Sequence, residues 1–464
     1  MTRIRGVFCN RTLNFSAIKA IGYDMDYTLV HYNSGKWEET AYHHLKHNLK
    51  QFGWPLDGLK FDPDRVCRGL IIDTELGNLV KTNRFRLVKN AMHGTRPMDF
   101  SEQKKTYSRI MVDLSDSRWV FLNTLFSLSE ACMFAQLVDL HDDQKLQNVA
   151  GYADLYKKVR VAIDTAHMEG RLKEEIINDK KKFVVLDEEA PLALLDQKHA
   201  GKKLLLITNS EWSYTNEIMS YAYDPFMRKG RTWRDFFDLI IVEARKPDFF
   251  TSGAPFFQIV SEDGLLRPHP GNFDGSKLYL GGSAGRLEKE LSLSQDEILY
   301  VGDHMFGDVH VTKNMLRWRT ALVLRELEGE IAAAEAFSKT QKELTALMSE
   351  KESLEKQLWS LKVRIQRSKA GYADSRGPVV DRDELGALKQ KLMELDTRIS
   401  PLAAQSGEVQ NKQWGPLMRA GNDKSHFAFQ IERYADIYTS RVSNFLFTTP
   451  FAYLRSPRGV LPHD

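Results

Sequence analysis

The chain has 464 residues, 42% hydrophobic, 27% charged and 11% aromatic, enough apolar material for a sizeable core and too much for a disordered chain. Lys plus Arg number 65 and Asp plus Glu 62, and a surplus of only +3 argues against a nucleic-acid coat. Cys9, Cys67 and Cys132 stand too far apart for a disulfide framework or zinc knuckle, which favours a reducing compartment.

The N-terminal stretch lacks a continuous apolar run, and nowhere do about 18 apolar residues follow one another. A cytoplasmic protein with no membrane partner is therefore expected. At about 150 residues per domain, the length suggests about three structural units.

In chain order, the first apolar run is AIKAIGYD (17–24), which reads as a buried strand. It runs into Asp24-Met25-Asp26-Tyr27-Thr28-Leu29. Two carboxylates two residues apart past a strand can face one small site, one attacking an electrophile and the other moving a proton. Together they can also attract Mg²⁺, a hard cation that prefers oxygen ligands. The plainer alternative is an Asp-rich turn. His43 and His47 follow at i and i+4, but no carboxylate or Cys completes a metal motif, so a surface helix is favoured.

Residues 66–90 read as extended ribbon near the core, and 91–180 as a helical insertion, a cap. Three more strands follow, KLLLIT (203–208), DLIIVEA (238–244) and EILYVGD (297–303), separated by helical stretches. That alternation indicates a parallel α/β sheet, whose ligands bind at the carboxyl ends of strands. Those ends carry Thr208-Asn209-Ser210, which can bond phosphoryl oxygens, and Lys246, which can neutralise a carboxylate–phosphate pair. The last carries Asp303 and Asp308 among glycines, a pattern suited to a metal. Taken alone, Thr208-Asn209-Ser210 reads more readily as a turn and Lys246 as a solvated loop lysine, and the Asp303/Asp308 pattern reads equally either way.

Leu347, Leu354 and Leu361 recur every seven residues beside Leu344, Leu358 and Ile365, with Lys351 at the missing step. Leu385, Leu392 and Ile399 do the same beside Leu388, Leu395 and Leu402. Two heptad runs around a Gly/Pro turn predict a helical hairpin without chemistry of its own. The tail 414–464 is aromatic and apolar, and is expected to pack on the core or a partner subunit.

Taken together, Asp/Asp, Thr, Lys and Asp/Asp at four successive strand ends resemble the haloacid dehalogenase superfamily over about 20–325. The strings GYDMDYTLVHY, LNTLF, ITNS, ARKP, YVGDHMFGDV and RYADIYTSRVSNFLF, with the late VLPH, are similar to the cytosolic purine 5′-nucleotidases that prefer IMP and GMP. The resemblance implies an α/β fold with a Rossmann-like parallel core, an inserted, mainly helical cap and the helical hairpin. The corresponding divisions are core 1–90 and 181–326, cap 91–180, hairpin 327–402 and C-terminal segment 403–464.

The resemblance further implies that Asp24 attacks the 5′-phosphate to give an aspartyl-phosphate and that Asp26 is the acid and base. Mg²⁺ would be bound by Asp24, Asp303 and the Asp26 backbone carbonyl, with Asp308 orienting Lys246 or a metal-bound water. Thr208, Ser210 and Asn209 would serve the phosphate. Phe126, Arg160, Asp164, His167 and Lys173 would surround the purine nucleotide, with Arg160, Asp164 and His167 on one helical face. Nucleoside phosphotransferase activity and a dimer or tetramer are also implied.

Met168 and Ser127 depart from the family pattern beside the base and leave the base preference open. Asn123 matches part of a nucleotide-effector site, but Asp113 and Asn314 replace its expected basic residues. ATP activation is therefore not expected, since like charges repel. Two other readings stay open: a phosphatase of another phosphorylated metabolite, or a non-catalytic assembly protein.

Overall fold

The computed structural model describes residues 4–168, 170–269, 273, 275–372 and 382–459. The chain divides into two compact units, 1–328 with 417–464, and 329–416.

The first unit is organised by a ten-stranded sheet. Ala20–Tyr23 lies at its centre, parallel to Ile298–Gly302 on one side and Lys203–Ile207 on the other. Leu239–Val242 and then Leu278–Gly281 continue in parallel beyond Lys203–Ile207. Arg319–Val323 and then Ile437–Thr439 do so on the opposite side. Antiparallel strands finish both edges, Val7–Cys9 at one and the hairpin Phe256–Ile259/Leu266–His269 at the other. The four apolar runs of the sequence are thus four adjacent parallel strands. Their residues are apolar on both faces because both are covered, as a parallel sheet requires. Leu205, Ile207, Ile241, Phe249, Phe250, Tyr279 and Trp318 fill one side of this core. Each such side chain contributes roughly 1.5–3 kcal/mol on burial.

The tail is part of this sheet, since Ile437–Thr439 extends it and Val442 and Phe445 are buried. VLPH lies outside the described residues.

A second sheet, antiparallel and five-stranded, runs Arg96–Pro97, Val88–His93, Asn78–Thr82, Ile71–Asp73, Trp119–Phe121. The expected division at 90/91 falls inside Val88–His93, so the ribbon 66–90 and the start of the cap form one sheet. Helix Ser34–Leu49 also departs from the expected division. Its buried Trp37, Ala41, Tyr42, Leu45 and Leu49 form an apolar face, and the helix packs on Leu128–Asp142 and Tyr152–Met168, two cap helices. Sequence distance hid this, because the helix follows the first core strand directly.

The second unit holds most of helix Leu327–Ala370 together with Arg382–Gly407. Leu344 and Leu347 pack with Leu395 and Ile399, and Leu358 and Leu361 with Leu388. The heptad leucines therefore meet within one chain. Lys351, at the broken heptad step, pairs with Asp396 on the facing helix. Residues 373–381, between the two helices in sequence, lie outside the described residues. Among the described residues, no helix is long and apolar enough to cross a membrane.

Candidate active site

Four parallel strands deliver their carboxyl ends to one place. Asp24 follows Ala20–Tyr23, Thr208 follows Lys203–Ile207, Lys246 comes shortly after Leu239–Val242, and Asp303 follows Ile298–Gly302. Two glycines permit the close approach. A Cβ on Gly22 would lie 2.9 Å from the Tyr300 ring, and one on Gly302 would lie 2.4 Å from Asp308 Oδ2. Without side chains there, Tyr300 lies against the central strand and Asp308 folds back beneath its own strand end.

The buried Lys246 ammonium is the hub. Its Nζ lies 2.8 Å from Asp24 Oδ1 and 2.9 Å from Asp308 Oδ1, and donates to Tyr300 Oη at 3.0 Å. Burial alone would lower its proton affinity, but Asp24 and Asp308 outweigh burial and hold the ammonium well above its ordinary range. Asp308 also accepts the His304 N–H at 3.1 Å, from a wide π-type turn over Met305–His310. Both its oxygens are thus taken by protein donors.

Asp24, Asp303 and Asp308 form a buried trio whose carboxylate oxygens lie within 4.8 Å of one another. Burial, with Asp308 and Asp26 nearby and Lys246 opposing, pushes the Asp24 carboxyl up to about 7. Burial, then Asp308 and Asp24, raise Asp303 well above the usual carboxylate range. Asp303 Oδ2 is buried with no hydrogen-bond partner among the described residues. A buried carboxylate oxygen without a donor is costly unless a cation meets it.

Asp26 stands apart from the trio. Its Oδ1 accepts the Tyr32 hydroxyl at 2.5 Å and its Oδ2 the Ser210 hydroxyl at 2.8 Å. Its expected metal contribution is through its main chain, and its carboxylate is held by these two hydroxyls outside the trio. Ser210 was expected at the phosphate, but its hydroxyl is committed to Asp26. Thr208 Oγ1 accepts the Ser210 N–H at 3.1 Å. Asn209 has a different place from the one expected. Its amide accepts from Lys246 N at 2.6 Å and donates to Lys246 O at 3.0 Å, so it fastens the lysine loop rather than facing substrate.

Among the cap residues, Lys173 reaches the strand ends. Its Nζ pairs with Glu211 at 2.5 Å, approaches Ser210 Oγ at 3.4 Å and lies 4.8 Å over the Tyr214 ring. Phe126 packs edge-on against Tyr27, beside Asp26, with ring centroids 4.8 Å apart, and against Trp37 at 5.3 Å. Arg160 is held by buried Glu130 at 3.0 Å and by Asp164 at 3.1 Å, one helical turn on. The His167 side chain lies outside the described residues. Asp113 pairs with Arg86 at 3.6 Å, and Asn314 bonds His310.

Sequence reasoning missed five side chains that complete the site: Tyr32, Tyr214, Tyr300, Glu130 and Arg68. Arg68 is buried, donates to the Asp303 carbonyl at 3.2 Å and pairs with Glu326 at 2.6 Å. Signals existed for some. Arg68 interrupts the apolar VCRGLII, and Tyr300 puts a hydroxyl in an otherwise aliphatic strand.

The arrangement offers a carboxylate beside an ammonium, a second carboxylate set for proton transfer, and an oxygen cluster suited to a hard cation. Those are the parts of a phosphoryl-transfer centre. Comparisons with known proteins agree. A 5′-nucleotidase domain-containing protein of Dictyostelium discoideum is 28% identical over 472 residues, 99% of this chain and 74% of that protein. Human 5′-nucleotidase domain-containing protein 2 is 26% identical, covering 94% of this chain and 81% of the relative. An archaeal β-phosphoglucomutase from a hyper-thermophilic Pyrococcus is a distant structural likeness, 12% identical with a TM-score of 0.32, over 66% of this chain and 87% of that one, and adds nothing to the topology above. The family model for the 5′ nucleotidase family matches residues 7–464, which takes in both halves of the core, the cap and the hairpin, and on that match the chain belongs to the 5′ nucleotidase family, as a hydrolase.

Proposed function

We propose that the protein hydrolyses purine nucleoside 5′-monophosphates, IMP and GMP before others, through an aspartyl-phosphate on Asp24. The observation that carries this reading is Lys246 bridging Asp24 and Asp308 beside the unpartnered Asp303 Oδ2.

That oxygen set fits Mg²⁺, which favours carboxylate ligands. Asp24 and Asp303 would hold it, with the Asp26 carbonyl. When bound, the ion supplies positive charge that offsets repulsion between a carboxylate and a phosphate dianion.

The remaining chemistry falls to side chains. Lys246 carries fixed positive charge where the transferring phosphoryl group gains negative charge. The Asp24 oxygen forms a bond to phosphorus as the bond to the ribose 5′-oxygen breaks. Asp26 gives its proton to that oxygen, then takes one from the water that cleaves the acyl phosphate, and so returns to its starting state. Thr208 binds a phosphoryl oxygen. A nucleoside hydroxyl in place of water would make the enzyme a phosphotransferase.

Phe126 offers a ring face or edge to the purine, and Arg160 with Asp164 offers a donor and an acceptor to the 6-oxopurine edge. His167 and Lys173 complete the cap side. A cytoplasmic homodimer or homotetramer completes the proposal.

The test is phosphate release with Mg²⁺ from IMP, GMP, AMP, CMP, UMP, glucose 6-phosphate and p-nitrophenyl phosphate. Preference for IMP and GMP is expected. Release from the sugar phosphate or generic ester alone would keep the Asp24 chemistry and remove the purine pocket. No release from any of them by folded protein would overturn the enzymatic reading.

A further inference from the structure

We propose that Tyr32 is a positioning residue for the acid–base carboxylate Asp26, and that Tyr214 and Lys173 tie this support to the cap. The proposal rests on the mechanism above and deepens it.

Asp26 is clamped on both oxygens by hydroxyls from different elements. Tyr32 belongs to the short strand His31–Tyr32, just past the catalytic loop. Ser210 lies past the neighbouring sheet strand. Tyr32 has one proton, and it goes to Asp26 Oδ1. The second contact of the Tyr32 oxygen, to Tyr214 Oη at 3.1 Å, therefore has Tyr214 as its donor. The Ser210 proton likewise goes to Asp26 Oδ2, so Lys173 Nζ at 3.4 Å donates to Ser210 Oγ. Two directed chains converge on one carboxylate: Tyr214 to Tyr32 to Asp26, and Lys173 to Ser210 to Asp26.

Lys173 takes part in both, because its ammonium also sits 4.8 Å over the Tyr214 ring. It belongs to helix Arg171–Asn178, in the cap insertion. Tyr32 and Tyr214 are 4% and 0% exposed, so the two tyrosines of the first chain are shielded from water. The Tyr32 ring is wedged against Trp37 and Tyr27, at 4.5 and 5.3 Å. The ring is fixed by packing and the hydroxyl by Tyr214, so Tyr32 fixes the rotation of the Asp26 carboxyl plane. A misplaced proton donor forfeits much of the gain from general acid catalysis.

The role predicts dependence on the leaving group. A ribose 5′-alkoxide needs the Asp26 proton as its bond to phosphorus breaks. p-Nitrophenolate is a weak base and departs without it.

The experiment is Tyr32→Phe, which keeps the ring and its packing. The readouts are steady-state IMP hydrolysis and first-turnover release of p-nitrophenolate from p-nitrophenyl phosphate, both with Mg²⁺. Expected are a loss of at least about tenfold in kcat on IMP with little change in KM, and a first-turnover rate within about threefold of wild type. Tyr214→Phe, which removes only the donor to Tyr32, should give a smaller loss of the same kind. If Tyr32→Phe melts early, Tyr214→Phe decides alone.

Equal losses on both esters, or no loss on IMP, would overturn the positioning role. Wild-type protein that releases phosphate from neither ester would overturn the parent mechanism and this proposal with it. An active wild type whose Asp24→Asn variant retains turnover would overturn the covalent mechanism alone.

Discussion

Lys246 Nζ lies 2.8 Å from Asp24 Oδ1, and the two side chains are only 5% and 11% exposed. An ammonium in such surroundings is tolerable only because Asp24 and Asp308 flank it, and the carboxylates are tolerable only because of the ammonium. Lys246→Met removes the shared counter-charge and leaves two carboxylates facing each other. Breaking a buried pair on one side costs about 3–5 kcal/mol. Thermal unfolding should therefore show a clear drop in Tm, and kcat on IMP should fall by about 10²-fold or more. An unchanged Tm would mean that the pair is open to solvent in solution.

Asp24→Asn tests the nucleophile itself. An amide is nearly the same size as a carboxylate, and Lys246 keeps Asp308 as its partner, so the fold should survive. The amide cannot form an acyl phosphate. Turnover should be lost, and radiolabelled phosphate should be trapped on quenched wild-type protein but not on the variant. Substantial activity in the variant would rule out the covalent route.

Arg160→Ala tests base recognition. Arg160 is about half exposed but anchored by Glu130, which is 2% exposed and also accepts from Tyr156. The guanidinium is therefore held still with part of its fork facing outward. Its loss should reduce kcat/KM for IMP about 10- to 100-fold, or about 1.4–2.8 kcal/mol, with a much smaller change for p-nitrophenyl phosphate. The variant also leaves Glu130 with one donor fewer, so some loss of stability accompanies the kinetic effect. Equal kinetic losses on both esters would remove Arg160 from base recognition.

The four core strands were legible because a buried parallel strand is a short apolar run, and because chemistry collects where such runs end. Asp24, Lys246, Asp303 and Asp308 follow from that rule and meet in space. The hairpin was legible for a similar reason, since its leucines repeat with the helical period. Tyr32 and Tyr214 were not legible. A tyrosine in an apolar stretch reads as core, and these hydroxyls acquire meaning only when folding turns Tyr32 onto Asp26 and brings Tyr214, 182 positions further along the chain, onto Tyr32. Asn209 misled for the opposite reason. Its position suits a phosphate ligand, but the neighbouring loop claims both ends of its amide. The division at 90/91 failed because antiparallel pairing from Ile71 to Phe121 leaves no mark on local composition.

Glu38 supplies a stability test that does not depend on turnover. It is 1% exposed on helix Ser34–Leu49, and its Oε2 accepts the Ser129 N–H at 2.7 Å. Its Oε1 has no partner among the described residues. Burial, against the Ser129 bond and with Glu130 adding to it, pushes the carboxyl from the usual 4.5 up to about 8. The folded protein therefore binds this proton more tightly than the unfolded chain does. Between about pH 4.5 and 8 the native state carries more protons, so this group's contribution to stability falls as pH rises and levels off above 8. Glu38→Gln keeps an oxygen for the Ser129 N–H and removes the titration. Its stability relative to wild type should rise by about 2–4 kcal/mol between pH 5 and pH 8.5. Denaturant unfolding at the two pH values reads this directly, and parallel pH dependence in the two proteins would mean that Glu38 is solvated in solution.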